Sequence, residues 1–282
     1  MRNTQRTEKI AFLFMALATL IIIVPVGLIL FIVLWHGLPG LSLEFILAMP
    51  REGMRAGGIF PAIVGTLLLT LGCALFSIPL GILAAIYLNE YSQKNWLTRL
   101  IELAIINLAG VPSIVYGLFG LGLFVTFLNF GASILAGSLT LSIMTLPVII
   151  TATREALNSV PRAFREVSFS LGASRWQTVR KVVLPNAIPG ILTGTILGLS
   201  RAAGETAPIL FTVAAFYLPR LPESAFDQAM ALPYHIYVLS TQVPNVSPKI
   251  QYGTVLVLVG LVFIMNIIAA TIRARFRKRK TW

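Results

Sequence analysis

The chain has 282 residues, 57% of them hydrophobic and only 11% charged, with a formal net charge of +12 and one cysteine. Soluble domains carry about 25% charged residues, so a water-facing exterior is excluded and the bilayer is the better solvent. One cysteine excludes an intrachain disulfide, and a basic excess spread over several connections needs no nucleic-acid partner to explain it.

A spanning helix needs about 20 mostly apolar residues. Six stretches qualify: 10–35, 59–88, 98–128, 132–152, 185–216 and 252–272. The first starts with Arg2, Arg6 and Lys9. Its apolar core is longer than the about 7–15 residues of a signal peptide and no Ala-x-Ala site follows, so it reads as a retained span. The second holds Cys73, a small core residue, and a kink at Pro79. In the third, Pro112 precedes Ser113. A proline kink is the simpler reading. The other is a restarted helix whose free amides favour an anion. The fourth is short and kinked at Pro147.

A patterned cytoplasmic connection, 153–184, follows. Ser159 and Pro161 suit a helix start. Val160, Ala163, Phe164, Val167 and Leu171 form an apolar stripe, with Arg162, Arg165 and Glu166 off it. Gly172 is the natural stop. Ser174 and Gln177 make a capping box for a second helix, lined by Trp176, Val179 and Val183 and ended by Leu184-Pro185. Two readings stand for this amphipathic pair: it lies on lipid, or it docks a cytoplasmic partner.

The fifth stretch carries Gly190, Gly194 and Gly198 four residues apart, a stripe that admits another helix from this chain or from a second subunit. Pro208 breaks this stretch, and Arg201 and Glu205 lie inside it. A central arginine costs about 2.5–3.5 kcal/mol on insertion scales, and Glu205, one turn on, neutralises it. Such pairs face protein or a water-filled cavity. The pair is either a structural ion pair or an anion site, the guanidinium fork meeting an oxyanion while Glu205 holds it.

Six spans put both termini on one side. Seventeen Lys and Arg lie at the termini and in the second and fourth connections, against four on the opposite side (Arg51, Arg55, Arg220 and Lys249). The positive-inside rule then makes both termini cytoplasmic. The tail from Arg273 anchors that topology and is able to touch anionic lipid. The chain divides into 1–58, an N-terminal span and outward loop, 59–272, a core with the patterned connection, and 273–282, a basic tail. There is no Gly-Lys dipeptide, hence no Walker A loop. One Asp and two isolated His leave no catalytic triad or metal cluster in view, so neither enzyme activity of its own, nor a cofactor, nor a metal is expected.

"EVSFSLGASRWQTVRKVVLP", 166–185, resembles the cytoplasmic loop signature of ATP-binding-cassette importer permeases, EAA, three residues, Gly, nine residues, Ile-x-Leu-Pro. Glu166, Gly172, Leu184 and Pro185 are in place, Val167 and Ser168 replace the alanines, and Val182 replaces the isoleucine. "NLAGVPSIVYGLFGLGLF", 107–124, and "LSRAAGETAPILFT", 199–212, look like the phosphate-specific members, most of all their A subunit, within the binding-protein-dependent transport inner-membrane component family. The resemblance implies an all-α, six-span type I importer permease with a coupling-helix pair between spans four and five. It implies a second homologous permease, two copies of a separate ATPase docked through Glu166, Gly172, Leu184 and Pro185, and an extracytoplasmic phosphate-binding protein that meets the loop 217–251. Ser113, Arg201 and Glu205 are the pathway candidates, and Gly190, Gly194 and Gly198 the subunit-packing candidates. The alternatives are a permease for another oxyanion (phosphonate, molybdate or sulfate) and an ATP-independent channel or carrier.

Overall fold

The computed structural model describes residues 2–93 and 95–278. Lys94 of the second connection and Arg279 and Lys280 of the tail lie outside them. Among the described residues five helical stretches are long and apolar enough to cross a membrane: Ala11–Gly40, Phe60–Tyr91, Ile134–Asn158, Arg175–Gly204 and Pro248–Arg275. A sixth span is a bent pair, α4 (Trp96–Ala109) and α5 (Ser113–Gly120), the latter continuing through a wide π turn, Leu121–Phe127. The first span belongs to α1 (Arg2–Gly37), and the loop after it forms α2 (Leu43–Leu47) and a hairpin of β1 (Pro50–Arg51) and β2 (Ala56–Gly57).

The centre is the contact between α3 (Phe60–Ile86) and α6 (Ile134–Asn158). Without a hydrophobic force between helices in lipid, close backbone approach and internal hydrogen bonds must hold them. Gly72 provides the approach: a β-carbon there would run into the Ser138 side chain. Thr66, Thr70, Ser77, Ser142 and Thr145 are buried and each donates to the carbonyl four residues back, so their hydroxyls are satisfied without water. Ser142 also reaches across to the Cys73 carbonyl at 3.2 Å, and Thr145 to the Cys73 thiol at 3.4 Å.

Pro112 does more than kink the third span. The two halves are bent by 105°. Pro112 is extended (ψ 141°), and Ser113 starts a new helix. Proline lacks the N–H that would continue the ladder. Tyr116 repairs part of the loss by donating its hydroxyl to the Leu108 carbonyl at 2.8 Å.

The patterned connection folds as α7 (Arg162–Ser170) and α8 (Arg175–Thr178), with two differences from expectation. Ser159 closes α6, its hydroxyl on the Ala156 carbonyl at 2.8 Å, and Pro161 precedes the first turn of α7. The helix begun at α8 does not end at Leu184-Pro185. A π turn, Val179–Val183, carries it into α9 (Leu184–Gly204), with the Leu184 N–H on the Val179 carbonyl. A wider turn makes room where the ring of Pro185 would press on the carbonyl four residues earlier. Of the apolar stripe, Val160 is buried and Phe164 packs against the core around Val183, while Val167 and Leu171 are exposed; Ser168 faces Thr178 and Arg165 points inward.

The glycine stripe of α9 meets α6 of the same chain: β-carbons at Gly190 and Gly194 would collide with Ala156 and Ala152, and Gly198 faces Ile149. Of the two readings of the stripe, contact with another helix of this chain is the one the structure displays. The fifth span breaks at Gly204, before Pro208. Glu205 is extended, and Pro208 sits in the first turn of α10 (Ala207–Thr212), where a missing N–H costs nothing.

The connection from the fifth to the sixth span, α12 (Pro248–Lys278), is only partly a free surface. Its helix α11 (Leu232–Thr241) inserts against α3, and Met230, Leu232, Tyr234 and Leu239 join the core. The Leu232 N–H donates to the Thr66 hydroxyl at 2.8 Å. Tyr217 and Arg55 tie this connection to the first loop through the Pro50 and Pro244 carbonyls. The polypeptide thus closes the bundle end opposite α7.

Two tests follow from this packing. A β-carbon at Gly65 meets the Met230 carbonyl, which is backbone and has no rotamer to escape into. Gly65→Ala therefore lowers stability by about 1–3 kcal/mol, whereas Gly260→Ala, in open space, does not; thermal unfolding of the purified variants reads the difference. His235 on α11 is buried, and desolvation pushes it from the ordinary 6.5 to about 4. The unfolded chain therefore binds the extra proton first as pH falls. Stability is full above about pH 7 and falls by about 2 kcal/mol by pH 5. Unfolding midpoints at pH 7.5 and 5 check this, and His235→Gln flattens that part of the profile.

Candidate functional site

The second halves of the two broken spans, α5 and α10, pack on each other. Gly117 of α5 lies against the Ala207 carbonyl and Pro208 of α10 so closely that a β-carbon would come within 2.9 Å of that oxygen. Gly120, one turn on, faces Thr140 of α6 and Thr212 of α10. Breaks of this kind are tolerated at membrane depth only inside protein or along a water-filled cavity.

Arg201 stands in the last turn of α9, where unpaired carbonyls favour a cation. Glu205 is not on the same helix, as the spacing suggested, but on the extended segment just past its end (φ −75°, ψ 134°). The two still meet, Arg201 Nε donating to Glu205 Oε1 at 3.1 Å. The pair is lopsided: the arginine side chain is 47% exposed and the glutamate 15%. Glu205 borders a cavity of about 10 Å³, water-sized, with Thr66 and Thr70 of α3 and Ala231 just before α11. The Arg201 terminal nitrogens have no partner among the described residues. Tyr116 lies within electrostatic reach of this guanidinium. Ser113 begins the turn that carries Tyr116, and no hydrogen bond joins it to Arg201 or Glu205. The arrangement is a guanidinium fork anchored on one side by a carboxylate and open on the other, which suits a tetrahedral oxyanion.

The second region is the bundle end that carries α7. Gly172 has φ +80° with open space around it, so the backbone conformation, not packing, calls for glycine. Leu171 is 84% exposed beside it, with Val167, Phe169 and Trp176 also exposed. Trp176 therefore parts from Val179 and Val183, which are buried. Glu166 is exposed, Leu184 half-buried against the core around Val183, and Pro185 exposed. The Ser174–Gln177 capping box is present and fixes the entry to α8.

Two ion pairs went unread in the sequence. Arg165 binds Glu90 at 2.7 and 3.2 Å and the Leu157 and Val160 carbonyls at 2.9 Å each, locking α7 to the end of the second span. Arg154 of α6 pairs with Glu102 of α4. The available signal was the scarcity of acids: with only ten in the chain, one near the end of a span asks for a partner.

Comparison with known proteins agrees with this geometry. The family model described as binding-protein-dependent transport system inner membrane component matches residues 77–282. The chain is 35% identical to the probable ABC transporter permease protein YqgI of Bacillus subtilis (strain 168), over 99% of each. It is 37% identical to the phosphate transport system permease protein PstA 1 of Mycobacterium tuberculosis (strain CDC 1551 / Oshkosh), over 80% of this chain and 73% of that one. The fold resembles that of a bacterial alginate ABC transporter solved with an alginate-bound periplasmic protein, with TM-score 0.63 and 17% identity over 92% of this chain and 94% of that one. A signature turn at Gly172, a spanning bundle with two broken helices and a family match over most of the chain converge: the chain belongs to the binding-protein-dependent transport system inner membrane component family, the multi-pass permeases of ABC importers.

Proposed function

We propose that this chain is the permease subunit that, with a second homologous permease, forms the membrane pathway for inorganic phosphate. Two copies of a separate ATPase drive it, an extracytoplasmic phosphate-binding protein delivers the ion, and both termini are cytoplasmic. The observation that carries the reading is the Arg201 guanidinium at the end of α9, braced by Glu205 and otherwise unpartnered among the described residues. Relatives named as phosphate permeases support the choice of anion. The same fork fits phosphonate, sulfate or molybdate, and a structure of this fold from an alginate transporter shows that the fold alone does not select the substrate. Ser113, at the break of the third span, is proposed as a further residue of the same route.

The exposed Leu171 and Trp176 around Gly172 are proposed as the surface that receives the ATPase, with Glu166 on its edge. Arg165, locked to Glu90, makes α7 rigid with the second span. A push on this surface then enters the membrane instead of dissipating in a loose loop. Leu184 and Pro185 lie inside the continuous helix and transmit the push rather than ending the element that receives it.

In vesicles containing the assembled transporter, Arg201→Ala abolishes phosphate uptake and Arg201→Lys retains part of it, because the charge stays and the fork is lost. The exchange Arg201→Glu with Glu205→Arg moves the cation from the exposed position to the buried one. Uptake at the unmodified rate, at equal membrane abundance, would reduce the pair to packing. Uptake of sulfate or molybdate in preference to phosphate by the unmodified transporter would reassign the anion.

For the coupling surface, Gly172→Val forces a β-branched residue into a left-handed backbone at about 1–3 kcal/mol. Insertion survives, since the turn lies outside the spans. Leu171→Glu and Glu166→Lys leave the backbone alone and weaken ATPase capture in a pull-down. All three reduce uptake. Normal capture and uptake in all of them refutes the docking role.

A further inference from the structure

A cavity of about 870 Å³ opens at the bundle end that carries α7, where α4 and α7 both begin. It is separate from the Arg201–Glu205 region and from the exposed Leu171 and Trp176. Arg99, Arg154 and Arg162 line it with a single acid, Glu102. Glu102 neutralises Arg154. Arg99 and Arg162 have no carboxylate or other hydrogen-bond partner among the described residues, so two guanidinium groups border this polar space without a partner, Arg162 also bordering a smaller adjoining cavity with Glu90 and Glu166. The Arg154 Nε is itself buried without a partner. Two helix N-termini at the same cavity add their partial positive charge, and Asn158 adds an amide.

The surroundings indicate what kind of anion belongs there. Trp96, 77% exposed, stands at the mouth, the position tryptophan takes at headgroup depth. From it Leu97, Leu100, Leu103 and Ile106 run up α4 as a slanting row of exposed apolar side chains. This row puts acyl chains next to the cavity whenever α4 stands in a bilayer. A phospholipid uses both, its phosphate among the arginines and its acyl chains along α4. Basic pockets between spans at the cytoplasmic side are where anionic headgroups are held.

We propose that this cavity binds the headgroup phosphate of one anionic phospholipid, with Arg99 and Arg162 as the principal contacts, Asn158 as a hydrogen-bond donor and α4 as the acyl-chain track. The lipid bridges the start of α4 to the start of α7, so it stabilises the position of the coupling surface without touching the substrate route. Only the leaflet that supplies the lipid rests on the proposed cytoplasmic placement of this end; the binding chemistry does not.

The test uses the full-length chain in detergent, scored by native mass spectrometry for bound phosphatidylglycerol against phosphatidylethanolamine of the same chain length. The unmodified protein retains phosphatidylglycerol preferentially. At the usual contribution of a basic residue beside an anionic headgroup, Arg99→Gln with Arg162→Gln weakens that binding about thirtyfold, and each single variant about fivefold. Arg99→Lys with Arg162→Lys keeps most of it, and Arg220→Gln at the opposite end of the bundle changes nothing. If the double glutamine variant does not fold, as judged by its unfolding midpoint, the single variants decide. Equal retention of the two lipids, or retention of phosphatidylglycerol unchanged in the glutamine variants, overturns the proposal. So does inorganic phosphate that binds the lipid-free chain in an Arg99- and Arg162-dependent way and displaces phosphatidylglycerol, since the site is then one for the free ion.

Discussion

Helices α3 and α6 approach until there is no room for a β-carbon at Gly72, and the rest of the bundle is arranged around that contact. In a bilayer the approach cannot be driven by expelling water from apolar surface, because lipid is as apolar as leucine. It rests on dispersion across a tight seam and on hydroxyls that satisfy themselves on their own helices. The seam continues on both sides. Gly190 and Gly194 bring α9 onto the same α6, and Gly120 and Gly137 bring α5 and Val213, just past α10, onto it. One helix is thereby the spine against which the second halves of both broken spans are held.

Charge is rationed in the same way. Ten acids serve 22 basic residues, and among the described residues three acids are used in ion pairs that each join segments separate in structure. Glu90 locks α7 to the second span, Glu102 joins the third span to the fourth, and Glu205 joins the extended segment after the fifth to the helix it has just left. Among the cations left without a carboxylate in the described residues, two groups border a cavity or a break in a span: the outer edge of Arg201 at one level, and Arg99 and Arg162 at another. Both face space rather than a carboxylate, and both suit an anion, but they differ in exposure, in neighbours and in the size of the space they border.

The continuity of α8, the π turn and α9 ties the two ends of the molecule together. Thirty residues from Arg175 to Gly204 form one uninterrupted helical path, about 45 Å at 1.5 Å per residue. It starts three residues after the turn at Gly172 and ends beside Arg201 and Glu205. Under the proposed function, a displacement imposed at the exposed turn has a stiff route to the guanidinium. The π turn at Val179–Val183 relieves Pro185 without breaking that route.

Sequence by itself determined what depends on chain composition and on contacts close along the chain. The six apolar stretches, the Ser174–Gln177 capping box, the glycine stop at 172 and the pairing of Arg201 with Glu205 were all legible, because length, periodicity and i,i+3 or i,i+4 spacing are local quantities. The loop signature pointed to the family for the same reason. Tertiary structure alone decided which face of each element is occupied. The stripe on α7 reads as one surface for lipid or a partner, yet it divides: Val160 is buried while Val167 and Leu171 stay exposed, and Glu90, 75 residues away, draws Arg165 inward beside them. The glycines of α9 read equally as a subunit interface, and only the position of Ala152 and Ala156 assigns them to α6. The outward connection reads as a free loop, and α11 is buried because Gly65 leaves room for the Met230 carbonyl. A local pattern states that a face is apolar, small or charged. What fills it is set by atoms distant in sequence, through steric exclusion and the need to pair a charge removed from water.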